Sequence, residues 1–214
     1  MKLYSYWRSS ASWRVRIGLA LKRVRYEYIA VNLIRDGGEQ HGEAYRALNP
    51  MAQVPTLELD DGRQLSQSLA ILEYLEETIP EPSILPRDPY LKARARQLAE
   101  LVNAGIQPLQ NTHTIKQLKA RGVDEQEWLR YFVGRGLDGL EASAQPTAGT
   151  FLVGDSVTLP DICLVPQLQH ARRFALDVAR WPLLQRVEAA CMQLEPFQLA
   201  AAERQPDAPP PSGK

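Results

Sequence analysis

Ser9, Ser10 and Ser12 crowd a short stretch flanked by Arg8 on one side and by Trp13, Arg14 and Arg16 on the other. Hydroxyls at this density suit two jobs. At the start of a helix a serine side chain accepts from one of the first backbone N–H groups and caps them. The same helix end, with its unpaired N–H donors and about half a positive charge, also cradles an anion, and a thiolate is one such anion. From the residues alone both readings stand.

Four further clusters stand out. Val54-Pro55 opens an apolar run, where a proline that cannot donate to a ladder sits at the first residue of a strand. Ser66-Gln67-Ser68 precedes a helical run and offers an amide and a hydroxyl, either as an ordinary cap or as a seat for a carboxylate. Gln107-Pro108-Leu109-Gln110-Asn111-Thr112-His113 is a polar knot inside a helical period, and Arg172-Arg173-Phe174 closes another. Adjacent arginines on a helix point about 100° apart, so at most one of the pair faces a given site. An arginine fork there suits a carboxylate bidentately.

The elements that position these residues read as follows. Leu3, Tyr4 and Tyr6 open a strand; Trp13, Ile17, Ala20, Leu21 and Val24 form a helical stripe, with Val15 and Leu19 making a second one. A second strand spans Tyr26 to Asn32, Asp36-Gly37-Gly38 is a loop, and Glu43 through Leu48 is a short helix. Val54 to Leu59 and Arg63 to Leu65 make a hairpin about Asp60-Asp61-Gly62, followed by a helix carrying Leu69, Leu72, Leu75 and Ile79. The order β-α-β-α-β-β-α predicts an α/β domain over residues 1–80. Four prolines over 80–89 mark a linker at 81–89. Residues 90–204 read as all helix: one long helix from Tyr90 to Lys119 bent near Pro108, one from Asp124 to Ala144, one starting at Thr158-Leu159-Pro160-Asp161 as a capping-box variant, and one after Trp181-Pro182. The Pro-rich stretch 205–214 is expected to be disordered.

Composition narrows the function. Lys and Arg total 25 against 25 Asp and Glu, so no global charge draws the chain to nucleic acid or to a membrane surface. The basic residues Arg8, Arg14, Arg16, Lys22, Arg23 and Arg25 along the first helix point to a small anionic ligand. Cys163 and Cys191 sit in apolar helical segments without CxxC spacing and read as small buried residues. His41, His113 and His170 lack metal-ligand spacing, and no phosphate loop, dinucleotide fingerprint or Ser-His-Asp pattern is present. The chain shows no signal-peptide pattern and no apolar run of about 18 residues, so a reducing cytoplasm is expected.

The run Ser9-Ser10-Ala11-Ser12-Trp13-Arg14-Val15-Arg16-Ile17 resembles the S-S-C-x-W-R-V-R-I signature of zeta-class glutathione transferases, with Ala11 in place of the usual Cys. The resemblance extends to the Arg204-Gln205-Pro206-Asp207 stretch. It implies a thioredoxin-like first domain and an all-helical second one, normally a homodimer, with glutathione as cofactor. Ser10, helped by Ser9, would face the glutathione sulfur. Ala11, Ser12, Trp13 and Arg14, Gln40 and Gln53, a cis Val54-Pro55 and the pair Gln67-Ser68 would make the rest of the cofactor site. Gln107, Asn111, Thr112 and His113 would add a wall, partly reaching from the other subunit. Arg173 and Arg8 would bind substrate carboxylates. The implied reaction is cis–trans isomerisation of a dicarboxylic diketo acid, maleylacetoacetate, in tyrosine and phenylalanine breakdown. The alternatives are the same reaction on maleylpyruvate, transferase activity on haloacids, and a non-catalytic module using the fold as a scaffold.

Overall fold

Four short strands, β1 (Lys2–Ser5), β2 (Glu27–Ala30), β3 (Thr56–Glu58) and β4 (Gln64–Ser66), hydrogen-bond in the order β2-β1-β3-β4 in a computed structural model that describes residues 1–210. β2 runs parallel to β1, which requires a crossover, and the helix α1 (Ser10–Leu21) supplies it. β3 pairs antiparallel with β1, Leu3 opposite Leu57, and joins β4 through a hairpin in which the Leu59 N–H donates to Arg63 at 2.8 Å. Gly62 turns that hairpin at φ +83°, a region open to glycine at no steric cost. The helix α2 (Glu43–Leu48) follows two short 3₁₀ turns, and α3 (Ser68–Thr78) follows the hairpin. This is the thioredoxin-like arrangement expected from the sequence.

The apolar pattern decides what covers the sheet. Leu3, Val15, Leu19, Leu57, Ile71 and Leu75 are buried together, so α1 and α3 lie on one face. At Gly18 a Cβ would sit 2.2 Å from Leu72, so the two helices approach through a residue with no side chain. Tyr6, Val31, Tyr45 and Val54 form a second cluster, joined by Tyr4; alternation along β1 puts it on the opposite face from Leu3. Helix α1 ends in a Schellman arrangement: Arg23 takes φ +56° and the Val24 N–H reaches back to Leu19 at 2.9 Å.

Residues from Leu194 onward pack with this sheet unit, which comprises Met1–Pro82 and 194–210 of the described chain. That corrects the expected assignment of 194–204 to the helical domain. The helix α10 (Glu195–Leu199, the last α-helix among the described residues) buries Phe197 fully, and the Ala200 carbonyl accepts from Arg16 Nε at 3.1 Å. The expected disorder is corrected too for 205–210, the described part of the stretch 205–214. Gln205 donates to Leu199 and Ala201 at 3.1 and 2.8 Å, and Asp207 is held by two donors. Residues 211–214 lie outside the described chain.

The other unit, Ser83–Gln193, is helical. It contains α4 (Pro89–Asn103), α5 (Gln107–Gln110), α6 (Thr112–Lys119), α7 (Glu125–Ala144), α8 (Leu159–Arg173) and α9 (Pro182–Met192). The single bent helix expected from Tyr90 to Lys119 is thus three helices. Pro108 cannot donate, and Asn111 adopts extended φ/ψ of −63°/144°, which ends one helix and caps the next. α8 starts as expected. The Asp161 carboxylate accepts the Thr158 N–H at 2.7 Å, the Thr158 hydroxyl at 2.8 Å and the Leu152 N–H at 2.8 Å. Burial pushes this carboxyl up to about 6 despite the three donors. α8 stops after Arg173 because Ala175 turns to φ +56° and the Leu176 N–H returns to Ala171 at 3.0 Å. Among the described residues no helix is long and apolar enough to cross a membrane.

Candidate active site

In the sheet unit the serine run begins α1. Ser9, at φ −69° and ψ 118°, is the N-cap, and its Oγ accepts the Ser12 N–H at 3.2 Å. Ser10 is the first helical residue and 1 % exposed. The division of labour follows from geometry. Ser9 is spent on the cap, while the Ser10 hydroxyl stands at the positive helix end. Ser12 Oγ and Trp13 Nε1 are buried here with no hydrogen-bond partner among the described residues, an arrangement that costs about 1–3 kcal/mol per group. Ala11 is half-buried beside them. Buried polar atoms left under-satisfied at a helix N-terminus suit an anionic, hydrogen-bonding guest.

Arg14 links this helix end to a second one. It is fully buried, and Nη1 donates to Ser68 Oγ at 3.3 Å. Ser68 is the first residue of α3, so two helix N-termini are tied by one guanidinium. Arg14 and Trp13 therefore support the cradle from inside instead of projecting into solvent. Just ahead, Gln67 is exposed and holds φ +69°, ψ 115°, a backbone conformation that costs a non-glycine residue about 1–3 kcal/mol. Outliers of this kind gather where a side chain must be aimed.

The Val54-Pro55 bond is cis, as the resemblance implied. Pairing between β1 and β3 runs from Lys2–Glu58 to Tyr4–Thr56, so the peptide groups of Val54 lie beyond the last paired residue. The turn before it is fixed from below: the Gln53 carbonyl accepts the Tyr45 hydroxyl at 2.7 Å and Asn49 Nδ2 at 2.8 Å. Burial pushes the Tyr45 phenol up to about 12, so it remains a donor. Gln40 is buried, its Nε2 lies 3.2 Å from His41 Nε2, and its Oε1 has no partner among the described residues. Arg8 is half-buried, its guanidinium carbon 5.9 Å from the Trp7 ring centroid.

The basic cluster along α1 is corrected as a ligand-attracting surface. Arg16 is 1 % exposed and donates to Ala200, Ser5, Tyr6 and Trp7, and Lys22 pairs with Glu76 at 2.6 Å. Burial lowers Arg16 to about 10, leaving it charged at neutral pH.

In the helical unit, the polar knot occupies the breaks between helices. Gln107 Nε2 donates to Asn111 Oδ1 at 2.8 Å, and Thr112 and His113 are exposed in the first turn of α6. Sequence reasoning missed what fixes the knot. The buried amides of Gln110 and Gln167 exchange two hydrogen bonds, at 2.9 and 3.0 Å, and Trp128 Nε1 donates to the Leu109 carbonyl at 3.0 Å. A glutamine inside the apolar run Leu164-Val165-Pro166-Gln167-Leu168 was the available signal. Of the two arginines on α8, Arg172 pairs bidentately with Glu188 on α9, one bond at 2.6 Å. Arg173 is exposed on another face. Cys163 and Cys191 are buried free thiols, as expected, and burial raises the Cys191 thiol. Among the described residues no cluster of His, Cys, Asp or Glu could hold a metal.

Comparison with known proteins gives the same picture. Residues 8–78 match the glutathione S-transferase N-terminal domain and 124–195 the glutathione S-transferase C-terminal domain. Maleylacetoacetate isomerase of Rattus norvegicus is 48% identical over 207 residues, 97% of this chain and 94% of the relative. A maleylacetoacetate isomerase from Anaeromyxobacter dehalogenans, solved with GSH bound in its active site, is 53% identical, with a TM-score of 0.89 and 97% of each chain covered. The holo structure of a maleyl pyruvate isomerase, a bacterial zeta-class glutathione S-transferase, is 42% identical, with a TM-score of 0.92 over 98% of this chain and 100% of the other.

Proposed function

The chain belongs to the glutathione S-transferase family, in its zeta class, and from that premise we propose that it is a glutathione-dependent cis–trans isomerase converting maleylacetoacetate to fumarylacetoacetate. The observation that carries the reading is the pair of helix N-termini joined through Arg14 and Ser68, with Ser9 and Ser10 at the first. A tripeptide bearing a thiolate and a carboxylate can set one anion at each such positive end.

When bound, glutathione supplies a thiolate nucleophile that adds reversibly to the double bond and so frees it to rotate. The protein's share is to hold and orient. Ser10 donates its hydroxyl toward the sulfur, and the α1 dipole favours the ionised form. Gln67 and Ser68 take the γ-glutamyl carboxylate at the head of α3, the Val54 peptide groups pair with the cysteinyl backbone, and Gln40 and Gln53 add contacts. Arg173 is assigned the diacid's carboxylate, with Arg8 as a second cation; Arg172, already paired with Glu188, is excluded from that job. Gln107, Asn111, Thr112 and His113 are assigned to the wall.

The test is turnover of synthetic maleylacetoacetate with and without glutathione. Ser10→Ala is expected to lower the glutathione-dependent rate about 100-fold or more at unchanged fold. Wild-type rates in that variant, or equal rates without glutathione, would refute the assignment. The same chemistry on maleylpyruvate is the alternative, supported by the 42% identical relative, and parallel assays on both diacids separate the two. A homodimer and a cytoplasmic location belong to the same reading. The exposed Met51 and Tyr90 are side chains a partner would cover, and two buried free thiols suit a reducing compartment. Light scattering checks the first, and fractionation of the native host the second.

A further inference from the structure

We propose that Asp207 is a positioning residue for the Ser9–Ser10 end of α1, acting through the peptide groups of Trp7 as part of a clamp that it shares with Arg16. The segment Tyr6-Trp7-Arg8 links β1 to the N-cap and lies beyond the paired strand residues. It is held instead from two sides. One oxygen of Asp207 accepts the Trp7 N–H at 3.0 Å and the other accepts the Tyr28 hydroxyl at 2.7 Å. Arg16 Nη2 donates to the Trp7 carbonyl at 3.0 Å and Nη1 to the Tyr6 carbonyl at 3.4 Å, which also takes the Ser9 N–H at 3.0 Å. The rest of the Arg16 fork is anchored on Ser5 Oγ at 3.2 Å and, through Nε, on the Ala200 carbonyl at 3.1 Å.

The two peptide groups that flank Trp7 are thus each held by charge-assisted bonds, the stronger kind: the 6–7 group by Asp207 and Arg16, the 7–8 group by Arg16. Trp7 stands two residues ahead of the N-cap. A shift of its peptide plane moves Ser9 out of the extended φ/ψ that lets it cap, and moves Ser10 with it. A displacement of about 1 Å at a reacting group costs on the order of 100-fold in rate. The residues that set the serine end therefore lie far away in sequence, at 200–207. This inference rests on the reading that Ser10 faces the glutathione sulfur.

The experiment uses the full chain carrying Asp207→Ala, Asp207→Asn or Tyr28→Phe, with two readouts. The first is backbone hydrogen exchange over residues 6–13. The second is the pH dependence of kcat/KM together with the ultraviolet absorbance of ionised glutathione in the complex. Asp207→Ala is expected to speed exchange at the Trp7–Ser10 amides about tenfold, to move the thiol ionisation to higher pH and to lower kcat, with little change in KM for the diacid. Asp207→Asn, whose Oδ1 still accepts from Trp7, should recover most of both effects, and Tyr28→Phe should sit between. Unchanged exchange in Asp207→Ala overturns the clamp. Faster exchange with unchanged ionisation and kcat overturns the positioning role. If wild-type protein fails to ionise bound glutathione, the Ser10 reading fails instead, and the exchange result still decides the clamp.

Discussion

Gln67 offers a substitution whose effects on stability and binding should have opposite signs. Its φ of +69° with ψ 115° is sterically costly for any residue with a Cβ, by about 1–3 kcal/mol. Glycine removes that cost but adds about 0.5–1 kcal/mol of unfolded-chain entropy. Gln67→Gly should therefore stabilise the fold by about 1 kcal/mol, which for a chain of this size is a rise in Tm of about 2–4 °C. The same change deletes the amide assigned to the γ-glutamyl group, so glutathione should bind about tenfold more weakly. Gln67→Ala separates the two effects, because it deletes the amide and keeps the Cβ: binding falls equally and Tm stays put. Calorimetry gives both Tm values, and titration with glutathione gives both affinities. A Gly variant no more stable than the Ala variant would refute the backbone argument. Wild-type affinity in both would show that this side chain holds nothing.

Asp161→Ala should destabilise the helical unit by about 2–4 kcal/mol, because the buried N–H groups of Leu152 and Thr158 lose their acceptor. The pH dependence has a definite sign. The folded carboxyl is raised to about 6 from an ordinary 3.8, so its proton-linked stability is fully present below the lower value and lost as pH rises through the upper. The gap between wild type and variant should thus widen by about 1 kcal/mol from about pH 7 to about pH 5, and denaturant titrations showing it narrowing would contradict this. Arg172→Ala should lower Tm by stranding the mostly buried Glu188, and Arg173→Ala should raise KM for the diacid more than for glutathione; equal effects on both KM values would reject the carboxylate role of Arg173. N-ethylmaleimide should leave native protein unmodified and fully active, since Ala11 replaces the family Cys and both thiols are buried, while unfolded protein should take an adduct at each; rapid labelling of the folded form would disprove the burial.

What could be read from sequence was local. The strand and helix order of the first domain, a cap within the Ser9–Ser12 run, the Asp161 cap and the separation of Arg172 from Arg173 all follow from neighbours a few positions apart. The failures share a cause. Arg14 and Arg16 read as part of a basic cluster awaiting a small anion because their acceptors, Ser68 and Ala200, are 54 and 184 positions away. The return of 194–210 to the sheet unit and the Gln110–Gln167 amide pair are likewise non-local. Pro108 was visible as a bend, but the extended Asn111 that makes it a break was not. At the site itself, the serine run and Gln67-Ser68 were legible as helix starts; that one buried guanidinium ties them required coordinates.

The pairing of Trp7 with a carboxylate 200 positions later also bears on how the protein is made. While the ribosome is still translating residues 83–193, the first 82 already include the Arg16 guanidinium with its Ser5, Tyr6 and Trp7 acceptors, but its Nε still lacks the Ala200 carbonyl, and burying it without that acceptor is unfavourable. The helical unit is contiguous and can complete itself first. The sheet unit is therefore expected to close only once residues 200–207 have been made, after the helical unit that follows its first 82 residues in sequence.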